Sequence, residues 1–187
     1  MLTTLLGYFI VLQFFFLDRS RRGQEARSFK AGEADRKSTL YIGIAYLIST
    51  LALLAAWIFN WLKVGVLPAW VGWLGVVLAM FGLFFRWWAN RVLGEFYTRT
   101  LKVTENQSII RAGPYRLIRH PGYLGSISIW TGAAGGTANW IVLLIVLVTM
   151  LVVYIYRIES EEKMLLGAYS DYADYRKHTW RLIPFVY

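Results

Sequence analysis

Uncharged apolar runs alternate with clusters of arginine and lysine along this chain, and the runs have membrane-crossing lengths. Met1 to Leu17 is apolar apart from Gln13 and a few hydroxyls, just enough to cross a hydrocarbon core of roughly 30 Å at about 1.5 Å per residue. Positive charge follows this run, in Asp18-Arg19-Ser20-Arg21-Arg22, and does not precede it. A retained first span is therefore predicted in place of a cleaved signal peptide. Leu40 to Leu62 carries no charge and predicts a transmembrane helix. Val64 to Phe85 is uncharged again, with Pro68 near its start, where a first helical turn tolerates proline. Trp57, Trp61, Trp70 and Trp73 flank the turn between these spans, where an interfacial aromatic belt belongs. Gly122 to Tyr156 also lacks charge, yet Gly132, Gly135, Gly136 and Asn139 interrupt it. Two helices joined by a Gly-Gly-Thr-Ala-Asn turn fit this stretch better than one helix about 50 Å long. The predicted spans are thus 1–17, 40–62, 64–85, 122–134 and 138–156, the fourth short for a full crossing.

The polar stretches between them complete the picture. Residues 18–39 read as a partly helical connector on the membrane surface, and 86–121 and 157–187 as polar segments that meet at one face. With five crossings every Lys and Arg except Lys63 falls on one side. By the positive-inside rule that side is cytoplasmic, with the N-terminus outside and the C-terminus inside. The expected fold class is an all-α integral membrane protein of a single domain, 1–187. It has about five transmembrane helices and a C-terminal cytoplasmic helical lid.

Composition removes several alternatives. At 57% hydrophobic residues the chain is too apolar for an ordinary soluble domain. There is no cysteine, which excludes disulfides, a thiol nucleophile and thiolate metal sites, and two histidines are too few for a histidine-built metal centre. The net charge of +9 interrupts apolar spans and forms no groove with interleaved aromatics. Anionic lipid headgroups, and not nucleic acid, are the expected partner.

The same topology brings Arg86, the Arg119-His120-Pro121 corner and the Arg157 to Glu162 run to one face, at the ends of three different spans. Each has a plain structural explanation: a snorkelling Arg86, a helix start at Pro121, and an i,i+4 ion pair between Arg157 and Glu161. Against these, ionisable groups at a membrane boundary are candidates for a ligand site. Gly122 and Gly125, on either side of Tyr123, would let a backbone or ligand approach closely.

The stretch Gly113-Pro114-Tyr115-Arg116-Leu117-Ile118-Arg119-His120-Pro121-Gly122-Tyr123-Leu124-Gly125 precedes Arg157-Ile158 with Glu161-Glu162, then Leu166-Gly167, Tyr169, Tyr172, Tyr175 and Arg181-Leu182-Ile183-Pro184. Together they resemble the isoprenylcysteine carboxyl methyltransferase family, small integral membrane enzymes that also resemble the phospholipid N-methyltransferases. The resemblance covers roughly residues 75–187, including Arg86 and Leu93 to Thr98. The pairing of the arginine-histidine-proline corner with two glutamates carries its specificity. It implies a helical membrane methyltransferase using S-adenosylmethionine, with S-adenosylhomocysteine as product, a cofactor pocket under a C-terminal lid, and a lipophilic or prenylated acceptor entering from the bilayer. By matching positions, Arg119, His120, Pro121, Tyr123 and Gly125 would help form the cofactor site, with Glu161 and Glu162 nearby. The chain departs from the pattern at Gln107, Gly122 and Leu166, where relatives commonly carry histidine, serine and phenylalanine, which bears on the substrate more than on the cofactor.

The residues suit that chemistry. A glutamate can take the cofactor's ammonium, Arg119 its carboxylate, and His120 or Tyr123 a polar edge. Methyl transfer to a carboxylate needs alignment and desolvation but no general base. Arg86 and Arg157 are the candidates for steering an acceptor carboxylate. Methylation of a phospholipid or another small amphiphile is the alternative within the class. Membrane sterol reductases share the arginine-histidine start and the tyrosine-rich tail, but the Glu161-Glu162 pair would repel the phosphates of NADPH. A non-catalytic membrane adaptor is the remaining alternative.

Overall fold

The computed structural model describes residues 1–19, 35, 37–94 and 109–187. Most of the connector read at 18–39, the Glu95 to Thr98 stretch and Gln107 lie outside the described residues. Five long helices form the body: α1 Leu2–Arg19, α2 Ser38–Trp61, α3 Ala69–Leu93, α4 Pro121–Gly136 and α5 Trp140–Ala168, followed by a short α6, Tyr172–Lys177. Among the described residues the only β-type pairing is two isolated bridges. Helices α2, α3 and α5 are each long and apolar enough to cross a membrane, and α1 contributes a shorter apolar segment, Leu2–Phe16. Leu47, Leu51 and Leu54 on α2 and Val77, Met80 and Phe84 on α3 are exposed. That outward apolar surface belongs to an integral membrane protein, and the all-α class read from hydropathy holds.

Helix α4 has 16 residues, a rise of about 24 Å, yet it is the axis of the bundle. Every residue from Gly125 to Gly136 is buried, and only Gly122, Tyr123 and Leu124 are partly open. Its glycines do not break it; Gly132, Gly135 and Gly136 all lie within the helix, and the turn to α5 is only Thr137-Ala138-Asn139. They let α3 cross at backbone contact. A Cβ on Gly132 would meet the Gly75 carbonyl oxygen at 2.6 Å and Ala79 Cα at 2.8 Å, and one on Gly82 would meet the Gly125 carbonyl oxygen at 2.7 Å. Lipid tails are as apolar as leucine, so close packing through small residues is what joins helices in a bilayer.

Helix α3 starts at Ala69 and not at Val64, because Lys63 and Gly65 take positive φ of 57° and 73° and Pro68 stands at the N-cap. The loop released by this delay is knitted to the α4–α5 turn. Leu67 N–H donates to the Ala138 carbonyl at 2.7 Å and Trp140 N–H to the Gly65 carbonyl at 3.0 Å. Asn139 caps α5 by accepting from the Ile141 and Val142 N–H groups. Its amide donates to Asn60 Oδ1 at 2.9 Å and to the Val64 carbonyl at 2.8 Å. Helix α1 is part of the same bundle: the Tyr8 hydroxyl donates to the Leu53 carbonyl at 2.6 Å, Gly7 lies against Ala133, and Phe14 meets Trp130 edge-on. One end of the bundle is thereby closed, and the charged groups gather at the other.

Candidate functional site

Helix α5 has 29 residues, about 43 Å of rise, which exceeds a hydrocarbon core of roughly 30 Å. Its last turns, from Arg157 onward, therefore carry charge beyond the apolar segment. They face the corner that starts α4. The C-terminal tail closes over both: Arg119 N–H donates to the Trp180 carbonyl at 2.7 Å, His120 N–H to the Arg181 carbonyl at 3.1 Å, and Trp180 N–H to the Leu117 carbonyl at 3.0 Å. The Tyr175 hydroxyl adds a bond to the Tyr115 carbonyl at 2.7 Å.

Glu162 is the electrostatic knot of this closure. Its Oε1 accepts from Arg119 Nε at 2.8 Å and lies 3.4 Å from His120 Nε2. Its Oε2 accepts from Arg181 Nε at 3.2 Å and lies 3.7 Å from Arg176 Nε. Arg119 uses Nη1 on the Arg176 carbonyl at 3.1 Å, on the Thr179 carbonyl, and on Thr179 Oγ1 at 3.3 Å. Arg119 and Glu162, expected to hold opposite ends of a cofactor, are thus paired with each other and with the tail.

Glu161 is placed differently. Its Oε2 forms a long ion pair with His120 Nδ1 at 3.4 Å, His120 and Tyr123 both act on the carboxylate, and beyond these neighbours this buried oxygen has no conventional hydrogen bond. The Tyr172 hydroxyl is also buried without a partner, on a residue that is 3% exposed. His120 sits between the two glutamates and stacks parallel on Tyr123, with 5.4 Å between ring centres and 1° between planes.

The remaining expected residues fall at helix crossings. Arg157 is buried and donates from Nε to the Tyr123 hydroxyl at 3.2 Å. Its Nη1 donates to Asp35 Oδ1 and Ser38 Oγ at 2.6 Å each, and to Thr39 Oγ1 at 3.0 Å. These hydrogen bonds therefore run to Tyr123 and to the start of α2, while its charge also acts on Glu161, four residues on. Arg86, buried on α3, donates to the Gly122 carbonyl at 3.0 Å and to Ser126 Oγ, with its guanidinium 4.9 Å from the Phe14 ring centre. Pro121 opens α4 at its first position. Gly125 admits the α3 backbone, since its Cβ would meet Arg86 N at 2.8 Å. The close approach it permits is between helices.

Protonation follows from these contacts. Burial alone would raise the Glu162 carboxyl, but the hydrogen bonds and charges of His120 and Arg119 hold it down at about 2. For Glu161 burial also opposes ionisation, and His120 and Arg157 keep it below its ordinary value. Burial would lower His120, and the two glutamates outweigh it and raise it. Burial, then the charges of Glu162 and Glu161, push the Tyr172 phenol far up, so it stays a donor. A depressed carboxyl stabilises above its unfolded value and loses that contribution as pH falls through its folded value. The difference in unfolding temperature between wild type and Glu162→Gln is therefore expected to hold between about pH 4.5 and the pH at which the raised His120 loses its proton, and to vanish on the acid side only as pH nears about 2, measured by thermal melts in detergent. A difference already lost at pH 4 contradicts this electrostatic account.

Sequence reasoning missed Asp35, Thr179, Arg176 and Arg181 as holders of the site, and assigned no role to Tyr172. The tail motif contained Arg181 and Tyr172 without giving either a role.

The fold defines a class, helical integral membrane proteins with a charged site at one end of the bundle. A family model described as phospholipid methyltransferase matches residues 70–172, more than half of the chain, and the chain belongs to that family. Over 97% of its length it overlays the solved eukaryotic intramembrane Ras methyltransferase ICMT (isoprenylcysteine carboxyl methyltransferase), with a TM-score of 0.63, 19% identity and 63% of that chain covered. That likeness establishes a shared fold. The chain is also 27% identical over 114 residues to the cobalt-zinc-cadmium resistance protein CzcN of Cupriavidus metallidurans, a match covering 61% of this chain and 48% of that protein. It thus spans about half the length of that curated relative.

Proposed function

We propose that this protein is an S-adenosylmethionine-dependent methyltransferase that modifies a lipophilic acceptor delivered from the bilayer, with a prenylcysteine-like carboxylate as that acceptor. The observation that carries the cofactor reading is the buried Tyr172 hydroxyl without a hydrogen-bond partner, beside a buried Glu161 oxygen whose neighbour is His120 at 3.4 Å and which makes no conventional hydrogen bond. A carboxylate oxygen held only by a 3.4 Å ion pair to His120 and a buried phenol with no acceptor both gain from a ligand that completes their hydrogen bonding. An ammonium for Glu161 and a carboxylate or ribose oxygen for Tyr172 are the complementary groups that S-adenosylmethionine carries, so the residues fit it.

When bound, the cofactor supplies an electrophilic methyl group on a sulfonium. The protein's share is positioning. Glu161 and Tyr172 hold the amino-acid end, and His120, stacked on Tyr123, supplies a polar edge to the pocket. Arg119 and Glu162 keep the tail shut so that water is excluded, which strengthens each remaining charge interaction. Pro121 fixes the start of α4 and Gly125 its distance from α3, so both act on the cofactor through the backbone. Arg86, at the α3–α4 crossing beside Gly122, is the group that would steer an acceptor carboxylate, whose nucleophilic oxygen needs no base. Arg157 serves the same end indirectly, by orienting Tyr123. The site's face is cytoplasmic in this proposal, with the N-terminus outside, because Lys and Arg gather there.

The family match favours a second reading, in which the acceptor is the amine of a phospholipid. The two are separated by offering purified protein in nanodiscs labelled S-adenosylmethionine with either a prenylcysteine analogue or phosphatidylethanolamine. Base-labile label on the prenylcysteine analogue is the expected result, with transfer to it impaired more than S-adenosylhomocysteine binding by Arg86→Lys. Stable label on the phospholipid amine would establish the second reading, and label on neither would reject both acceptors.

A further inference from the structure

Asp35 lies three residues before α2 and outside every motif that matches the family. Its carboxylate accepts from Ser38 Oγ at 3.0 Å, from Thr39 N–H at 3.1 Å and from Thr39 Oγ1 at 2.8 Å, which is how a residue holds the start of a helix. Capping alone does not account for it. Serine or asparagine caps a helix as well as aspartate does. Asp35 is only 1% exposed and Arg157 only 2%, and burying two charges costs several kcal/mol per ion unless their contacts are close and complete. The contacts are close: Arg157 Nη1 reaches Asp35 Oδ1 at 2.6 Å, across 122 residues of sequence.

From Arg157 the contacts continue into the candidate site. Its Nε donates to the Tyr123 hydroxyl at 3.2 Å, the Tyr123 ring lies parallel to His120 at 5.4 Å, and His120 has a glutamate 3.4 Å from each ring nitrogen. A rigid fork such as guanidinium passes orientation from one partner to the next, because its donors share a plane. Asp35 is the carboxylate that fixes that plane. Burial of Asp35 opposes its ionisation, but the Thr39 bonds and the charge of Arg157 hold its carboxyl below the ordinary range, so it is an anion at neutral pH.

We propose that Asp35 is a positioning residue for the cofactor site, acting through Arg157 on Tyr123 and thereby on His120 and Glu161. It couples the segment entering α2 to a pocket built from α4, α5 and the tail. The placement stands on geometry; its consequence for cofactor binding rests on the methyltransferase reading.

Asp35→Asn keeps the size and a capping oxygen and removes the charge. The chain has two histidines, and His178 is 74% exposed at its side chain, so it serves as an internal reference for His120 in imidazole nitrogen spectra. In the ligand-free variant the His120 resonances are expected to move while those of His178 stay. The Kd for S-adenosylhomocysteine is expected to rise about tenfold, the scale of one charge-assisted hydrogen bond. Adding Tyr123→Phe to Asp35→Asn is expected to weaken binding no further than the stronger single change, because both act along one line of contacts. Unmoved His120 resonances, or losses that multiply in the double variant, would overturn the proposal. Should Asp35→Asn fail to fold, Ser38→Ala removes another acceptor of Arg157 at the same joint, and the same two outcomes apply. If wild type binds no S-adenosylhomocysteine, the cofactor reading falls, and the ligand-free spectra still decide the positioning role.

Discussion

Glu162→Ala is expected to unfasten the C-terminal tail and to lower stability by about 3–5 kcal/mol, the usual cost of removing one member of a buried charge cluster. The carboxylate is 3% exposed and faces Arg119, His120, Arg176 and Arg181. Its removal leaves the buried Arg119 guanidinium with its Arg176 and Thr179 partners only, and leaves the tail attached through these, through the Tyr175 hydroxyl on the Tyr115 carbonyl, and through the backbone pairing of Leu117 to His120 with Trp180 and Arg181. Limited proteolysis in detergent should then cut within residues 169–187 much faster than in wild type, while the helical signal of the bundle persists. Wild-type protection of the tail in this variant would mean that the backbone pairing and the Arg119 and Tyr175 bonds close the site without Glu162. The arrangement divides the glutamate pair: Glu162 fastens the cover, and in the proposed function Glu161 is the one that meets the ligand.

Gly132→Val is expected to abolish the folded bundle altogether. The first carbon of any side chain there would press on Ala79 N and come within 2.6 Å of the Gly75 carbonyl oxygen. Both are backbone atoms of α3, which cannot yield as a flexible side chain does. Relief requires moving α3 away from α4 along a contact that includes Gly75, Ala79, Gly82, Gly125 and Gly136. The overpacking penalty of about 1–3 kcal/mol seen in adaptable cores is a lower bound in such a place. Gly43→Val is the control, since a Cβ at Gly43 meets nothing within 4 Å. Size-exclusion profiles in detergent should show aggregate for Gly132→Val and a wild-type peak for Gly43→Val. A monodisperse Gly132→Val protein would contradict the packing described for α3 and α4.

The sequence makes the helices legible where charge is absent, because a bilayer-length uncharged run has few other uses. It makes the delay of α3 to Ala69 illegible, since Val64 to Leu67 is as apolar as the helix that follows and only the backbone at Lys63 and Gly65 shows the loop. The glycines of α4 read as interruptions by the habits of water-soluble helices, and in a membrane bundle they are the packing surface. The corner at Arg119 to Tyr123 and the glutamate pair were visible as motifs. Their division of labour was not, because it depends on partners that spacing does not encode: Asp35 for Arg157 and the folded-back tail for Glu162.

The central claim is that Glu161 is the ligand-binding carboxylate of a S-adenosylmethionine site, and calorimetric titration with S-adenosylhomocysteine tests it most directly. Wild type should bind. Glu161→Gln should lose binding by at least about tenfold, the scale of a charge-assisted contact, while its unfolding temperature falls less than that of Glu162→Gln, since only the 3.4 Å ion pair to His120 is weakened and not a cluster of three arginines and a histidine. Wild type that does not bind, or a Glu161→Gln variant that binds as wild type does, would contradict the account.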